Sequence, residues 1–189
     1  MREREKFNKY RRIIDFMVKI TKRIPKRIRL NLFFHFRKTT GKKGLALRYV
    51  LLKTLALYCG ENVAIYPDVY IFHPENLSIG NNVSVHPMCY LECGEGKIEI
   101  GNDVSIAHSV TILAVSHNYS NKNINIKDQG IEVGKTIIED NVWIGAKATI
   151  LIGRKVKKGS IIGANTLVTK DVQANTIVGG NPNRVIKER

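Results

Sequence analysis

Aliphatic residues recur at every sixth position through the C-terminal part of the chain, and this spacing restricts the possible folds more than any other feature. Six aliphatic side chains follow it without a gap: Ile138, Ile144, Ile150, Val156, Ile162 and Val168. The fourth residue after each is small or aliphatic, as in Val142 and Ala148, and Arg154 is the exception. A fixed internal period of this kind is typical of repeat architectures, in which each repeat is one structural unit.

The period predicts a three-sided solenoid of parallel strands. Each side is a strand segment of about six residues, and three sides complete one coil. The leading aliphatic of each segment points inward and stacks on those of the coils above and below, because no coil can bury its apolar edge alone. The small residues are expected at the corners, where the backbone turns. The predicted fold is an all-β parallel β-helix over residues 59–189, preceded by a basic helical extension over residues 1–58.

The six-residue register is interrupted once. The same phase is present earlier, through Ile100, Ile106 and Ile112, but Ile112 and Ile138 are 26 residues apart, which is not a multiple of six. The polar stretch 116–135 between them is therefore predicted to leave the solenoid as a loop.

The net positive charge of the chain lies entirely in its N-terminal third. Residues 1–57 contain 18 basic and 3 acidic residues, whereas residues 58–189 contain 13 of each, so the whole net charge of +15 lies in the first segment. A neutral main domain argues against nucleic acid as the partner. Apolar residues in the first segment recur at helical spacing between the basic ones, and Pro25 ends this first pattern. The apolar residues of that pattern are Tyr10, Ile13, Ile14, Met17, Ile20 and Ile24.

A basic amphipathic helix can do either of two things. It can lie on an anionic membrane surface, or it can pack on the first coil and cap it, and both roles need an apolar face. The most apolar stretch, 44–59, contains Arg48 and Lys53 and is too short and too charged to span a bilayer. The first residues lack the apolar core of a secretory signal, and the three cysteines form no CxxC pair. We therefore expect reduced thiols and a cytoplasmic protein.

The C-terminal motifs resemble those of the hexapeptide-repeat acyltransferases. NVWIGAKATI, IGANTLVTKDV and IVGGNPNRVIK are similar to the maltose and galactoside O-acetyltransferase branch and to the acetyltransferases of capsule and exopolysaccharide clusters. The resemblance covers roughly residues 60–187. It implies a left-handed parallel β-helix, a homotrimer with active sites between subunits, acetyl-CoA as co-substrate and a sugar or glycan hydroxyl as acceptor. It implies no metal.

The resemblance also implies a catalytic histidine. His117 stands where the coil ends and the loop begins, which matches the family's general base. An alcohol is a poor nucleophile while it is protonated, and histidine is the side chain that exchanges a proton near neutral pH. No covalent intermediate is needed, since the acceptor oxygen attacks the thioester directly. His86, Asn118 and Tyr119 are candidate acceptor-binding residues. The family often has an Asn one coil before the histidine, where this chain has His86 and Pro87.

Seven residues match family positions that approach the cofactor. Trp143 lies beside the cofactor groove, and smallness at Ala146 and Ala164 lets the pantetheine arm come close. Thr169 and Lys170 match positions near the nucleotide end, and Arg184 and Lys187 match basic positions near the phosphates. Lys187 replaces a common Arg, which keeps the charge but loses the bidentate geometry. Without the resemblance, Trp143 is equally a cover for the solenoid surface and the cations are ordinary solvated charges.

Three other functions are also compatible with the sequence. An amino-sugar N-acetyltransferase would need a similar base. A non-enzymatic scaffold or nucleic-acid binder would use the basic extension and would not need His117. A zinc enzyme on the same fold would resemble the γ-class carbonic anhydrases, which use a close pair of histidines. The spacings of 13, 22 and 9 between the histidines of the repeat domain provide no such pair; these are His73, His86, His108 and His117.

Overall fold

The structure is a computed structural model that describes residues 3–189. Helices form the first segment: α1 (Glu3–Thr21), α2 (Lys26–His35) and α3 (Gly41–Leu55), with a short 3-10 helix at Phe36–Lys38. Pro25 lies immediately before α2 and has an extended backbone. Proline is tolerated at the start of a helix but not in its interior, because its ring fixes φ and it has no backbone N–H. Within the described residues, no helix has both the length and the apolar character needed to cross a bilayer.

The rest of the chain winds through short strands, three to a coil. In chain order, the strands of the first three coils are β1 (Tyr58–Cys59), β2 (Ala64–Ile65), β3 (Tyr70–Phe72), β4 (Leu77–Ile79), β5 (Ser84–Val85), β6 (Tyr90–Glu92), β7 (Lys97–Ile100), β8 (Ser105–Ile106) and β9 (Thr111–Leu113). A hairpin of β10 (Val115–His117) and β11 (Ile131–Val133) follows. The later strands are β12 (Lys135–Ile138), β13 (Trp143–Ile144), β14 (Thr149–Ile150), β15 (Lys155–Val156), β16 (Ile161–Ile162), β17 (Leu167–Val168), β18 (Thr176–Gly179) and β19 (Arg184–Glu188).

These strands form three parallel sheets that the chain visits in turn. Sheet A has the order β1-β4-β7-β12-β15, sheet B continues from β2 through β5, β8, β13 and β16 to β18, and sheet C has the order β3-β6-β9-β14-β17. Each sheet is one side of the solenoid. The terminal strand β19 runs antiparallel to β18 and extends sheet B. The prediction of a β-rich domain built from parallel sheets is confirmed.

The six-residue register defines the core. Ile138 lies between Ile100 and Val156 in sheet A, and Ile144 lies between Ile106 and Ile162 in sheet B. All of these side chains are buried, so each coil covers the apolar edge of its neighbours. The register break between Ile112 and Ile138 corresponds to the β10–β11 hairpin.

The corners differ in detail from the prediction that small residues occupy them. The turn residues themselves are polar and have left-handed backbone conformations, as at Asn141, Lys147 and Asn165. Asn tolerates this conformation better than most residues because its short side chain bonds locally. The small or aliphatic residue comes directly after the turn and is buried, as at Val142, Ala148 and Thr166.

Helix α3 covers the first coil. Its buried face includes Leu52 and Leu55, and the hydroxyl of Tyr49 donates to the carbonyl of Gly60 at 2.9 Å. Arg48 on the same helix is fully buried and donates to the carbonyl of Ile65 at 2.7 Å. The helix ends at Leu55, and the extended backbone of Ala56 leads from it into β1.

Candidate active site

The predicted base stands at the root of the hairpin. His117 is the last residue of β10, pairs with Ile131 of β11 and is exposed. The hairpin leaves the solenoid between sheet C, which ends its third coil at Leu113, and sheet A, which resumes at Lys135. His117 therefore lies at the edge between sheets C and A, with its imidazole open to solvent.

The loop beyond His117 is held by its own polar side chains. The Gln129 amide nitrogen donates to the carbonyls of Asn121 and Ile124, at 2.8 Å each. The side chain of Asn118 donates to the Gln129 carbonyl at 3.2 Å. Asn118, a predicted acceptor residue, thus helps to shape the loop, whereas Tyr119 is 72% exposed. These bonds order the loop around the base.

The edge between sheets B and C carries a column of small residues. Val85, Ile106, Ile144, Ile162 and Val178 are in register, so the residues that follow them share one corner. His86 is at its N-terminal end, and the small residues are Ala107, Gly145, Gly163 and Gly179. Ala146 and Ala164 continue this corner, where the Asn165 N–H donates to the Ala146 carbonyl at 2.9 Å. Trp143 lies beside the corner on the outer face of sheet B and is 54% exposed. The small residues along this corner form a strip whose backbone an elongated ligand can approach closely.

The strip ends in an aromatic pair on its N-terminal side. His86 stacks on Tyr66, with ring centroids 4.7 Å apart and planes inclined by 17°. His86 is half-buried in this contact. Tyr66 was not singled out from the sequence. Its place on this corner follows only from the register of Ile65 with Val85.

The remaining predicted cofactor residues lie near the C-terminal end of the solenoid. Thr169 and Lys170 follow β17 at the edge between sheets C and A. Arg184 and Lys187 are exposed on β19, where Arg184 pairs with Gly179 and Lys187 with Ile177. Sequence reasoning missed Asn183, whose side-chain oxygen accepts hydrogen bonds from the backbone nitrogens of Thr169 and Lys170 at 3.0 and 3.3 Å.

The predicted site residues are therefore divided between the two edges of sheet C. His117, Asn118, Thr169 and Lys170 lie on the side of sheet A, whereas His86, Ala146 and Ala164 lie on the side of sheet B. About six residues cross sheet C between the edges, which at about 3.3 Å per residue separates them by roughly 15–20 Å. Residues 3–189 contain no cluster of three or more His, Cys, Asp or Glu side chains suited to a metal ion.

Comparison with known proteins identifies close relatives, although no protein-family model matches the chain. It is 34% identical over 134 residues to the galactoside O-acetyltransferase of Lactococcus lactis, covering 70% of this chain and 63% of that protein. It is 33% identical over 144 residues to the galactoside O-acetyltransferase of Escherichia coli K12, covering 75% and 68%. The chain thus spans about two thirds of the length of these relatives.

Solved structures agree with this relationship. A maltose O-acetyltransferase from Clostridium difficile 630 superposes with a TM-score of 0.76 at 30% identity, over 86% of this chain and 85% of that one. A galactoside acetyltransferase in complex with coenzyme A gives a TM-score of 0.69 at 26% identity, over 86% and 80%. On the extent and identity of these matches, the chain belongs to the galactoside and maltose O-acetyltransferase family.

Proposed function

We propose that this protein transfers the acetyl group of acetyl-CoA to a hydroxyl of a sugar or glycan precursor, with His117 as general base. Relatives named as galactoside and maltose O-acetyltransferases support the reaction and the sugar acceptor, and the coenzyme A complex of one of them supports the co-substrate. The single observation in this chain that carries the proposal is the exposed imidazole at the root of an ordered hairpin.

The reaction needs a proton acceptor, and it needs the acceptor hydroxyl to lie close to the thioester carbonyl. His117 takes the proton of the acceptor hydroxyl while that oxygen attacks the thioester carbonyl carbon. The tetrahedral intermediate collapses as the carbon–sulfur bond breaks, and the leaving sulfur takes the proton back from the imidazolium. The products are an acetyl ester and CoA. No group is oxidised or reduced, and no acyl-enzyme is required.

We place the cofactor along the small-residue corner. In this proposal the pantetheine arm passes Ala146 and Ala164, with Trp143 beside it. The nucleotide end reaches Thr169, Lys170, Arg184 and Lys187. Lysine and arginine at the exposed C-terminal end suit the phosphates of coenzyme A. A side chain larger than alanine at position 146 or 164 would occupy the space proposed for the arm.

A homotrimer with sites between subunits is part of the proposal, as is left-handed winding of the β-helix. The division of the site residues between the two edges of sheet C supports the homotrimer. If sheet C of each subunit faces a three-fold axis, the hairpin edge of one subunit meets the small-residue corner of the next. Closed cyclic symmetry of this kind makes every site identical.

A thiol-release assay tests the chemistry. Full-length protein is mixed with acetyl-CoA and a panel of sugars, amino sugars and nucleotide sugars, with product mass recorded. His117→Asn should lower kcat by roughly 10²–10⁴-fold with little change in acetyl-CoA affinity, because asparagine cannot take a proton. His73→Asn, at an exposed histidine in the first coil, is the matched control. A near-normal rate for His117→Asn would overturn the assignment, and acetylation of an amine would favour the N-acetyltransferase.

Subunit mixing tests the shared site. His117→Asn and Ala164→Trp are each expected to be inactive, the second because indole fills the cofactor corner. Unfolded together and refolded as a mixture, they should recover activity, since roughly a quarter of the interfaces in random trimers would combine an intact hairpin with an intact corner. No recovery, with trimers present by light scattering, would mean that each chain builds its own site.

We also propose that the reaction takes place in the cytoplasm and serves polysaccharide biosynthesis. The three buried free cysteines support a reducing compartment. The acceptor found in the thiol-release panel decides the biosynthetic role, because a glycan-cluster enzyme should prefer a polysaccharide precursor to a free sugar.

A further inference from the structure

The outer face of α1 exposes a continuous row of large apolar side chains. Tyr10, Ile13, Phe16 and Ile20 are 52%, 59%, 64% and 46% exposed. They are spaced by three, three and four residues, so they lie on one side of the helix. We call them the α1 stripe. An exposed apolar row of this length is unusual on a soluble surface and marks a contact with something else.

The opposite face of α1 holds the helix to its own domain. Phe7 packs edge-on against Tyr49 of α3, with ring centroids 5.6 Å apart. Arg11 forms an ion pair with Glu61 in the turn after β1. Ile14 packs against the core on the same side. Because these contacts already anchor α1 over the first coil, the α1 stripe is not needed for capping and points away from the solenoid.

Basic side chains border the α1 stripe. Arg12 lies four residues before Phe16 and Lys19 three residues after it, which places both cations beside the same ring. Lys9, Arg12 and Lys19 are exposed, and Asp15 is the one acidic residue in α1 between Lys9 and Thr21. The surface therefore combines an apolar row with a cationic border on one helix.

We infer that the α1 stripe docks this protein on an anionic lipid surface. Apolar residues enter the headgroup boundary while the flanking cations meet the lipid phosphates. A second copy is a poorer occupant, because two such faces would bring their cationic borders together. Nucleic acid is also poorer, because phosphate contacts require no row of aliphatic side chains. The chemistry that this surface recognises is that of an acidic phospholipid bilayer.

Docking would give the solenoid a defined orientation. α1 lies over the first coil, whereas Arg184 and Lys187 lie on β19 at the last. Sheet B stacks six parallel strands from β2 to β18, which makes about five strand spacings of roughly 4.8 Å, or roughly 24 Å, from end to end. The first coil would face the lipid and the proposed cofactor phosphates would face away from it. The inference concerns binding alone and does not depend on the proposed reaction.

Vesicle flotation of the full chain tests the inference. Vesicles of phosphatidylcholine alone and of phosphatidylcholine with phosphatidylglycerol are compared. We expect flotation with the second and little with the first. The double variant Ile13→Ser, Phe16→Ser should abolish flotation. The triple variant Lys9→Gln, Arg12→Gln, Lys19→Gln should weaken binding by roughly a hundredfold, since each cation near the surface contributes about fivefold.

Matched controls separate docking from general damage. Leu57→Ser removes an equally exposed apolar side chain outside α1, and Lys157→Gln, Lys158→Gln removes two cations from the far end of sheet A. Both should float as the unaltered protein does. The inference is overturned by absence of flotation with anionic vesicles, by equal flotation with neutral ones, or by stripe variants that still float. A change of oligomeric mass in the stripe variants would instead make the stripe a subunit contact, and tight RNA binding without vesicle binding would make it a nucleic-acid surface.

Discussion

The side-chain oxygen of Asn183 lies 3.0 Å from the backbone nitrogen and 3.3 Å from the hydroxyl oxygen of Thr169, and it accepts a hydrogen bond from both. The same side chain donates to the Lys170 carbonyl at 3.4 Å. The segment that ends the solenoid is thereby tied to the turn after β17. Thr169 and Lys170 are proposed to meet the nucleotide end of the cofactor, and Asn183 holds the turn that carries them.

Replacing Asn183 should loosen that turn. Asn183→Ala leaves the backbone nitrogens of Thr169 and Lys170 without their acceptor. We therefore expect the free energy of unfolding to fall by about 1–3 kcal/mol and the KM for acetyl-CoA to rise. Asn183→Asp keeps an accepting oxygen and should lose less of both. Urea unfolding and initial rates at varied acetyl-CoA provide the measurements. An unchanged KM in the alanine variant would show that the cofactor does not use this turn.

Gly145 and Gly163 occupy equivalent corners of successive coils but should respond differently to a methyl group. A Cβ at Gly145 would lie 2.7 Å from the Ala164 nitrogen and 2.8 Å from the Ile162 oxygen, whereas one at Gly163 would lie 3.2 Å from the Val178 oxygen. Backbone atoms cannot move aside cheaply. We expect Gly145→Ala to destabilise by about 1–3 kcal/mol and Gly163→Ala by clearly less, measured by thermal unfolding. Equal losses would contradict this account.

Arg48 is a buried cation whose main partners are carbonyl groups. Its guanidinium donates to the carbonyls of Ile65, Phe36 and Thr39 at 2.7, 3.0 and 2.6 Å. Burial lowers the pKa of Arg48 from its ordinary value, and the charge of Asp68 opposes that shift. The residue therefore joins α3, the 3-10 helix region and the first coil through hydrogen bonds.

Removing the Arg48 guanidinium should separate these elements. Arg48→Met removes the hydrogen-bond donor from the carbonyls of Ile65 and Thr39, and each group left unsatisfied costs about 1–3 kcal/mol. We expect a loss of about 2–6 kcal/mol in urea unfolding. Arg27→Met, at an exposed arginine of α2, should change stability by no more than about 0.5 kcal/mol. If Arg48→Met were as mild as Arg27→Met, the buried cation would not be what joins the helices to the solenoid.

The three cysteines make stability depend on alkaline pH. Burial raises the pKa of Cys59 and Cys93 to about 12 and that of Cys89 to about 11, from an ordinary value of 9.0. Above about pH 9 the unfolded thiols lose protons while the folded ones keep theirs. The unfolded state then binds fewer protons, so stability is full below pH 9 and falls as pH rises, by about 1.4 kcal/mol per thiol per pH unit.

Urea unfolding between about pH 8 and pH 9.5 measures this loss below the ordinary pKa values of tyrosine and lysine side chains. A variant with all three cysteines replaced by alanine supplies the comparison, because it should lack most of the pH dependence whatever its absolute stability. The native thiols should also react with a disulfide reagent only as fast as the protein unfolds. Rapid labelling of the folded protein at pH 8 would contradict the burial argument.

Local periodicity determined the core of this protein. A residue such as Ile150 is buried because a β-helix repeats every few residues, so inward positions can be counted along the chain without knowing which coils touch. The same counting located the hairpin, since the 26-residue interval breaks the register and places His117 at the break. The family motifs then supplied roles for His117 and for the cofactor residues, and those roles remain proposals.

Contacts between distant residues were decided only by the tertiary structure. The sequence contains Asn183 and Tyr66 but no signal for their partners, because alignment of corners across an inserted hairpin depends on three-dimensional stacking. Arg48 appeared to be a charge that interrupts an apolar run, yet it is buried because carbonyls from three segments converge on it. The helical period of α1 predicted its apolar residues, whereas packing against Tyr49 determined which of them face the domain and which remain exposed. The spacing of apolar residues along a helix or strand follows from local backbone geometry. Which of its faces becomes buried depends on the surfaces that the folded chain brings together.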